Sequence, residues 1–192
     1  MNGNEIIQRF AYVARPVILS YFPSNSCIAS TRIAIEVLAR FGVEADALAV
    51  GMIVEVKALS LAYVSGFAVR HLATILRLDS APWDGHLVAI ATVGESRYLV
   101  DASFDQVSMP EQGLQIAPFV FVAPLPDPTL LTGTIGMILT LVSDTGQKIS
   151  VRYSPIPNQT FRDAPAWETD HLQPAIATIC KLMTIAENRK LR

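Results

Sequence analysis

Cysteine is scarce in this chain: two residues in 192, Cys27 and Cys180. Two thiols make no disulfide framework, and their spacing fits no zinc knuckle. Charge is scarce as well, at 17% of residues with a net charge of −2. Without a basic stripe to neutralise phosphates, no nucleic-acid partner is expected. The three histidines, His71, His86 and His171, are too scattered for a metal site, and no cofactor is expected. Long hydrophobic runs are missing too. The most apolar stretches, residues 45–56 and 130–142, are too short or too interrupted to span a bilayer, so no membrane partner is expected. Met1-Asn2-Gly3-Asn4-Glu5 lacks the basic start and continuous apolar core of a signal peptide, which predicts a cytoplasmic location.

What is plentiful is apolar side chain: 51% of residues, with a mean hydropathy of +0.37. That excludes a disordered chain and predicts one domain with a large core. The surplus points to a buried sheet, a homodimer interface or a greasy substrate groove.

The chain is organised around Ser24-Asn25-Ser26-Cys27. Small polar residues precede a run in which Ile28, Ile35, Leu38 and Phe41 recur at helical spacing, with Gly42 as the stop. This predicts a capped amphipathic helix with a thiol in its first turn. There the helix dipole and the unpaired N–H groups favour thiolate. Upstream, residues 4–21 read as a helix interrupted or ended near Pro16. Downstream, residues 44–56 predict a buried strand and residues 57–78 a helix broken around Ser65-Gly66. Residues 86–93 and 97–102 predict a hairpin about Gly94-Glu95-Ser96. Residues 119–122 read as a strand, and 135–142 with 148–153 as a second hairpin about Ser143-Asp144-Thr145-Gly146-Gln147. A closing helix over 169–188 carries Leu172, Ile176, Ile179, Cys180 and Met183 inward. Helices first, then a mostly antiparallel sheet, then a helix is an α+β order.

Three residues carry chemistry together. Cys27 opens a helix, His86 opens a strand after a glycine turn, and Asp101 lies near the end of the returning strand. Cross-strand partners in a hairpin sum to a constant, here about 190, so His86 and Asp101 lie about one diagonal apart. They bridge only if both point to one face, which the turn type decides. A converged set would make Cys27 the nucleophile, His86 its base and Asp101 the residue that orients the imidazole. Asp105 is the rival orienter. The Cys27 N–H, with a side-chain donor from Asn25 or Ser26, would hold the oxyanion. Trp83, just before His86, would wall the substrate cleft, though such an aromatic also serves as core or rim. Taken singly, each residue has a plainer role: a buried thiol, a strand-start histidine, a strand-end aspartate. His71 reads as part of a solvated helix face and Cys180 as core.

The order Ser26-Cys27, then Gly85-His86-Leu87-Val88-Ala89, then Tyr98-Leu99-Val100-Asp101-Ala102-Ser103-Phe104 resembles the transglutaminase-like cysteine superfamily. Its His and Asp segments are similar to those of arylamine N-acetyltransferases. The resemblance covers residues 24–106. It implies a papain-like core with the nucleophile helix packed on an antiparallel sheet, a Cys27–His86–Asp101 triad, and a thioester formed from a small-molecule or peptide acyl substrate. Phe22-Pro23-Ser24-Asn25-Ser26 stands where the acetyltransferases have an arginine-glycine-rich segment. Ile28 stands where transglutaminases have tryptophan. The resemblance therefore implies acyl transfer to an unspecified acceptor, or a catalytically silent member of the superfamily that binds a peptide or partner in the same groove. Residues 113–192 match nothing and add strands and the last helix to a single domain.

Overall fold

The computed structural model describes residues 1–65, 85–125, 137–142, 146–156 and 160–190. Helix α1 spans Gly3–Tyr21 and starts with a capping box in which Asn2 and Glu5 exchange side chain-to-backbone bonds. It runs unbroken through Pro16, contrary to the expected interruption. Pro16 and Tyr12, whose carbonyl Pro16 deprives of its partner, both face solvent. Water can satisfy the freed oxygen, so the helix continues.

Helix α2, Cys27–Arg40, ends in a Schellman motif: Val43 N–H bonds the Leu38 carbonyl and Gly42 N–H that of Ala39, with Gly42 at φ +80°. Its start departs from expectation. Ser26 makes no side-chain cap; its hydroxyl donates to the Pro23 carbonyl at 2.6 Å. The buried apolar stripe is Ala29, Ile33, Ala34, Val37 and Leu38, rotated from the expected one, with Ile28 and Ile35 half-buried.

Among the described residues seven antiparallel strands follow: β1 Glu44–Val56, β2 Leu61–Ser65, β3 His86–Val93, β4 Ser96–Asp101, β5 Phe121–Leu125, β6 Met137–Val142 and β7 Lys148–Pro155. Helix α3, Gln173–Lys190, closes the chain. The protein is thus mixed helix and antiparallel sheet, with the sheet curled into a half-barrel in the order β5-β4-β3-β1-β7-β6. The long β1 is its spine. Residues 44–50 pair with β3 and 52–56 with β2 along one edge, while 50–55 pair with β7 along the other.

Strand β2 replaces the first part of the helix expected over 57–78. A 3-10 turn at Lys57–Leu59 and Ser60 in the left-handed region (φ 51°) fold the chain back onto β1. Alanine and leucine favour a helix, but the β1 ladder supplies hydrogen bonds no local count foresees. The remainder of that expected helix lies outside the described residues.

Two cores result. One joins α1, α2 and α3 to the helix-facing side of the sheet, through Phe10, Ile33, Val37, Ala89, Val100 and Ile176. The other fills the curl, through Met52, Val88, Leu99, Phe104, Val151 and Tyr153. The site lies where their boundary meets the beginning of β3.

Candidate active site

The β3–β4 hairpin turns on two residues, Gly94 at φ +59° and Glu95, so Val93 pairs with Ser96 and Ala89 with Val100. Paired numbers therefore sum to one less than the expected value, and this unit decides the chemistry. Extending the register sets Asp101 opposite Val88, and Val88 shares a face with His86 two residues earlier. A sum one higher would have put them on opposite faces.

His86 Nε2 and Asp101 Oδ2 are 2.6 Å apart, and both side chains are fully buried. Asp101 is itself held from two further sides. Tyr153 O–H donates to Oδ2 at 2.9 Å and the Ser103 backbone N–H to Oδ1 at 3.0 Å. Tyr153 reaches it because β7 pairs with β1, Tyr153 opposite Met52, which puts it on the same face as Val50 and hence His86. Burial, followed by the Asp101 charge and hydrogen bond, pushes the Tyr153 pKa well above its usual 10.0. The hydroxyl therefore remains a donor.

Cys27 arrives from the helix side. It packs on Ala49 and Leu87, a cross-strand pair one step from Val50–His86. One turn further along α2, Thr31 donates to the Leu87 carbonyl at 2.8 Å and fixes the helix against the strand. The thiol is in hydrogen-bonding contact with the His86 ring. Burial, the largest influence, lowers the imidazole pKa. Asp101, through charge and hydrogen bond, and Cys27, through hydrogen bond and charge, outweigh it and raise the value from 6.5 to about 10. The arrangement favours the protonated imidazole beside Asp101.

This shift has a stability consequence. A folded pKa above the unfolded one stabilises the fold fully below about pH 6.5, and the contribution is lost as pH rises through about 10. Chemical denaturation from pH 6 to 10 is expected to show wild type losing stability relative to His86→Gln as pH rises. A constant difference would contradict a raised His86 pKa.

The other ring nitrogen, Nδ1, is met by the Gln106 side-chain amide. Gln106 follows Asp105, whose carboxylate takes no part at the imidazole. It pairs with the fully buried Arg15, Nε to Oδ1 2.5 Å. Arg15 also donates to the Ser24 carbonyl at 2.9 Å and to Ser30 Oγ at 3.3 Å. One guanidinium thus ties α1 to the turn before Cys27 and to the turn bearing Gln106.

Of the expected side-chain donors, Asn25 is exposed and the Ser26 hydroxyl is committed to Pro23. Trp83 lies outside the described residues, as does His71. An unforeseen tryptophan, Trp167, packs with Phe161 and Ile156 around Cys27. Its ring meets Phe161 edge-on at 5.0 Å and carries the Arg32 guanidinium at 4.9 Å. Cys180 is half-buried on α3, packed against the helical core. Among the described residues no cluster of His, Cys, Asp or Glu is placed to hold a metal ion, and no helix is long and apolar enough to cross a membrane.

No family of known proteins, no curated protein and no solved structure matches this chain.

Proposed function

We propose that this chain is a cysteine-dependent acyl-transfer enzyme, a hydrolase or acyltransferase with a transglutaminase-like, papain-like core. It would act on amide, ester or thioester bonds of a small-molecule or peptide substrate. The observation that carries the reading is the buried relay: Asp101 held by Tyr153 and Ser103, His86 bonded to Asp101 through Nε2, and Cys27 against the same ring at a helix start.

In this reading His86 already holds the proton given up by Cys27, and the sulfur attacks the acyl carbon as thiolate. The tetrahedral oxyanion faces the Cys27 backbone N–H. Its collapse expels the leaving group, which takes the proton from His86, and leaves a thioester. Water or an amine then resolves that thioester through the same base. Asp101 stays ionised and holds the ring with Nε2–H directed at itself, leaving Nδ1 for the sulfur. Phe161 and Trp167 form an apolar wall beside the sulfur for the acyl chain.

Alkylation by iodoacetamide tests this, with Cys180→Ser removing the second thiol. At about pH 6–7 Cys27 is expected to react faster than a free thiol of ordinary pKa, about 8.5. A rate at or below that of the free thiol would favour the second reading, a silent domain that binds a peptide or partner in the same groove. One observation favours that alternative: Gln106 stands at the nitrogen Cys27 needs.

A further inference from the structure

We infer that Gln106 is a positioning residue for His86, an amide that gives its oxygen to the protonated ring and its N–H to the neutral one. The inference rests on the acyl-transfer reading and adds a residue to its proton steps.

Charge balance sets the resting direction of the bond. Asp101 is fully buried, and among the described residues its ion-pair partner is His86. A carboxylate sealed from water needs a countercharge. Its oxygens accept from the Ser103 N–H and the Tyr153 hydroxyl, which favours the ionised form, and Nε2 donates to it. The other polar groups facing the ring are Cys27 from α2 and the Gln106 amide from the 3-10 turn at Phe104–Val107. Asp105 is turned to Arg15, and Val50, opposite His86 on β1, is apolar. The ring is accordingly protonated at rest, in keeping with a pKa raised to about 10, and Nδ1 carries hydrogen. Toward that hydrogen the amide has one acceptor, its oxygen. Gln106 thus holds the ring at its second nitrogen and shares the Nδ1 hydrogen with the Cys27 sulfur.

Turnover reverses the demand. The departing group takes the Nδ1 proton: the N–H bond breaks, its electron pair stays on nitrogen, and the leaving atom gains hydrogen. Cys27 is then a thioester and carries no charge. Nδ1 must next accept a proton from the water or amine that attacks the thioester carbon, and the C–S bond breaks to return the thiolate. In that interval a half-turn of the terminal amide brings the Gln106 N–H to Nδ1. Glutamine therefore serves both states of the ring, whereas a carboxylate serves the first alone and an alkyl group neither. Gln106 is half-buried while the ring is sealed, so water can meet the amide group that is turned away.

The test is an NMR titration of the histidine ring nitrogens in the full chain, for wild type, Gln106→Leu and Gln106→Glu, with His86→Gln assigning the His86 signals. Wild type is expected to show hydrogen on both His86 nitrogens at neutral pH. The midpoint is expected to fall by about one pH unit in Gln106→Leu, which loses a hydrogen bond to a charged group, and to rise in Gln106→Glu, which adds an anion. A residue that merely fills space would not move the two in opposite directions. Burst kinetics with p-nitrophenyl acetate supply the second readout. Its leaving group departs without a proton, so Gln106→Glu is expected to keep the wild-type acylation rate. Deacylation is expected to slow about 10-fold, because each unit of raised pKa leaves about tenfold less neutral base. A midpoint unmoved in both variants, or unchanged deacylation in Gln106→Glu, would overturn the assignment. So would a wild-type Nδ1 without hydrogen at neutral pH, an observation that carries the test if neither variant folds. Midpoints that shift as expected in a protein whose Cys27 gains no acetyl group would instead overturn the acyl-transfer reading and leave the Gln106 contact standing.

Discussion

Asp101→Asn is expected to slow acylation of Cys27 by about 10⁴-fold while leaving the fold intact, the scale of loss when an orienting carboxylate becomes an amide. The carboxylate faces three donors: His86 Nε2–H, Tyr153 O–H and the Ser103 N–H. An amide has one oxygen. If that oxygen keeps the Ser103 N–H, the NH₂ group turns toward Tyr153 and His86. The hydroxyl can rotate to accept, but the imidazole accepts at Nε2 only by moving its proton to Nδ1. Nδ1–H cannot take the Cys27 proton, so the nucleophile is stranded. Burst kinetics with an activated ester measure the effect, with the near-ultraviolet circular dichroism spectrum as the control for packing. A loss below about 10-fold would show that Asp101 does not set the tautomer.

Arg15→Leu is expected to cost about 3–5 kcal/mol of folding stability, the scale for removing one partner of a buried ion pair. Arg15 is fully buried and Asp105 is 7% exposed, so the orphaned carboxylate has little water to turn to. The double variant Arg15→Leu, Asp105→Leu is expected to recover much of the loss, because the pair together offsets little more than its own desolvation. Urea denaturation of the two singles and the double closes the cycle. A cost for Arg15→Leu below about 1 kcal/mol would contradict a buried pair. Iodoacetamide reactivity of Cys27 is expected to fall in the single variant as well, since the loop before Cys27 loses its tie at Ser24.

The helix opening at Cys27 and the hairpin carrying His86 and Asp101 are legible because each is written locally, in a periodicity and a glycine turn. The two side chains share a face only by virtue of a single residue of register, and the two-residue loop at Gly94-Glu95 settles that. Tyr153 joins the site across 52 residues through pairing with β1, and Gln106 joins from 20 residues past His86 by way of a 3-10 turn. No local pattern marks either one. Arg15 meets Asp105 across 90 residues of chain, a separation that no local pattern bridges. Residues 57–65 show the converse failure, because a helix-rich composition yields to a neighbouring strand with open hydrogen bonds. The antiparallel order after the first two helices, by contrast, follows from alternation and turn chemistry that the chain carries throughout.

The most direct test of the account is the mass of the protein after brief exposure to p-nitrophenyl acetate at neutral pH. The acyl-transfer reading predicts one added acetyl group, mapped to Cys27 by peptide analysis, lost on incubation with an amine or water, and absent from Cys27→Ala. A folded protein that gains no acetyl group at Cys27, and that consumes the ester no faster than Cys27→Ala, would contradict it.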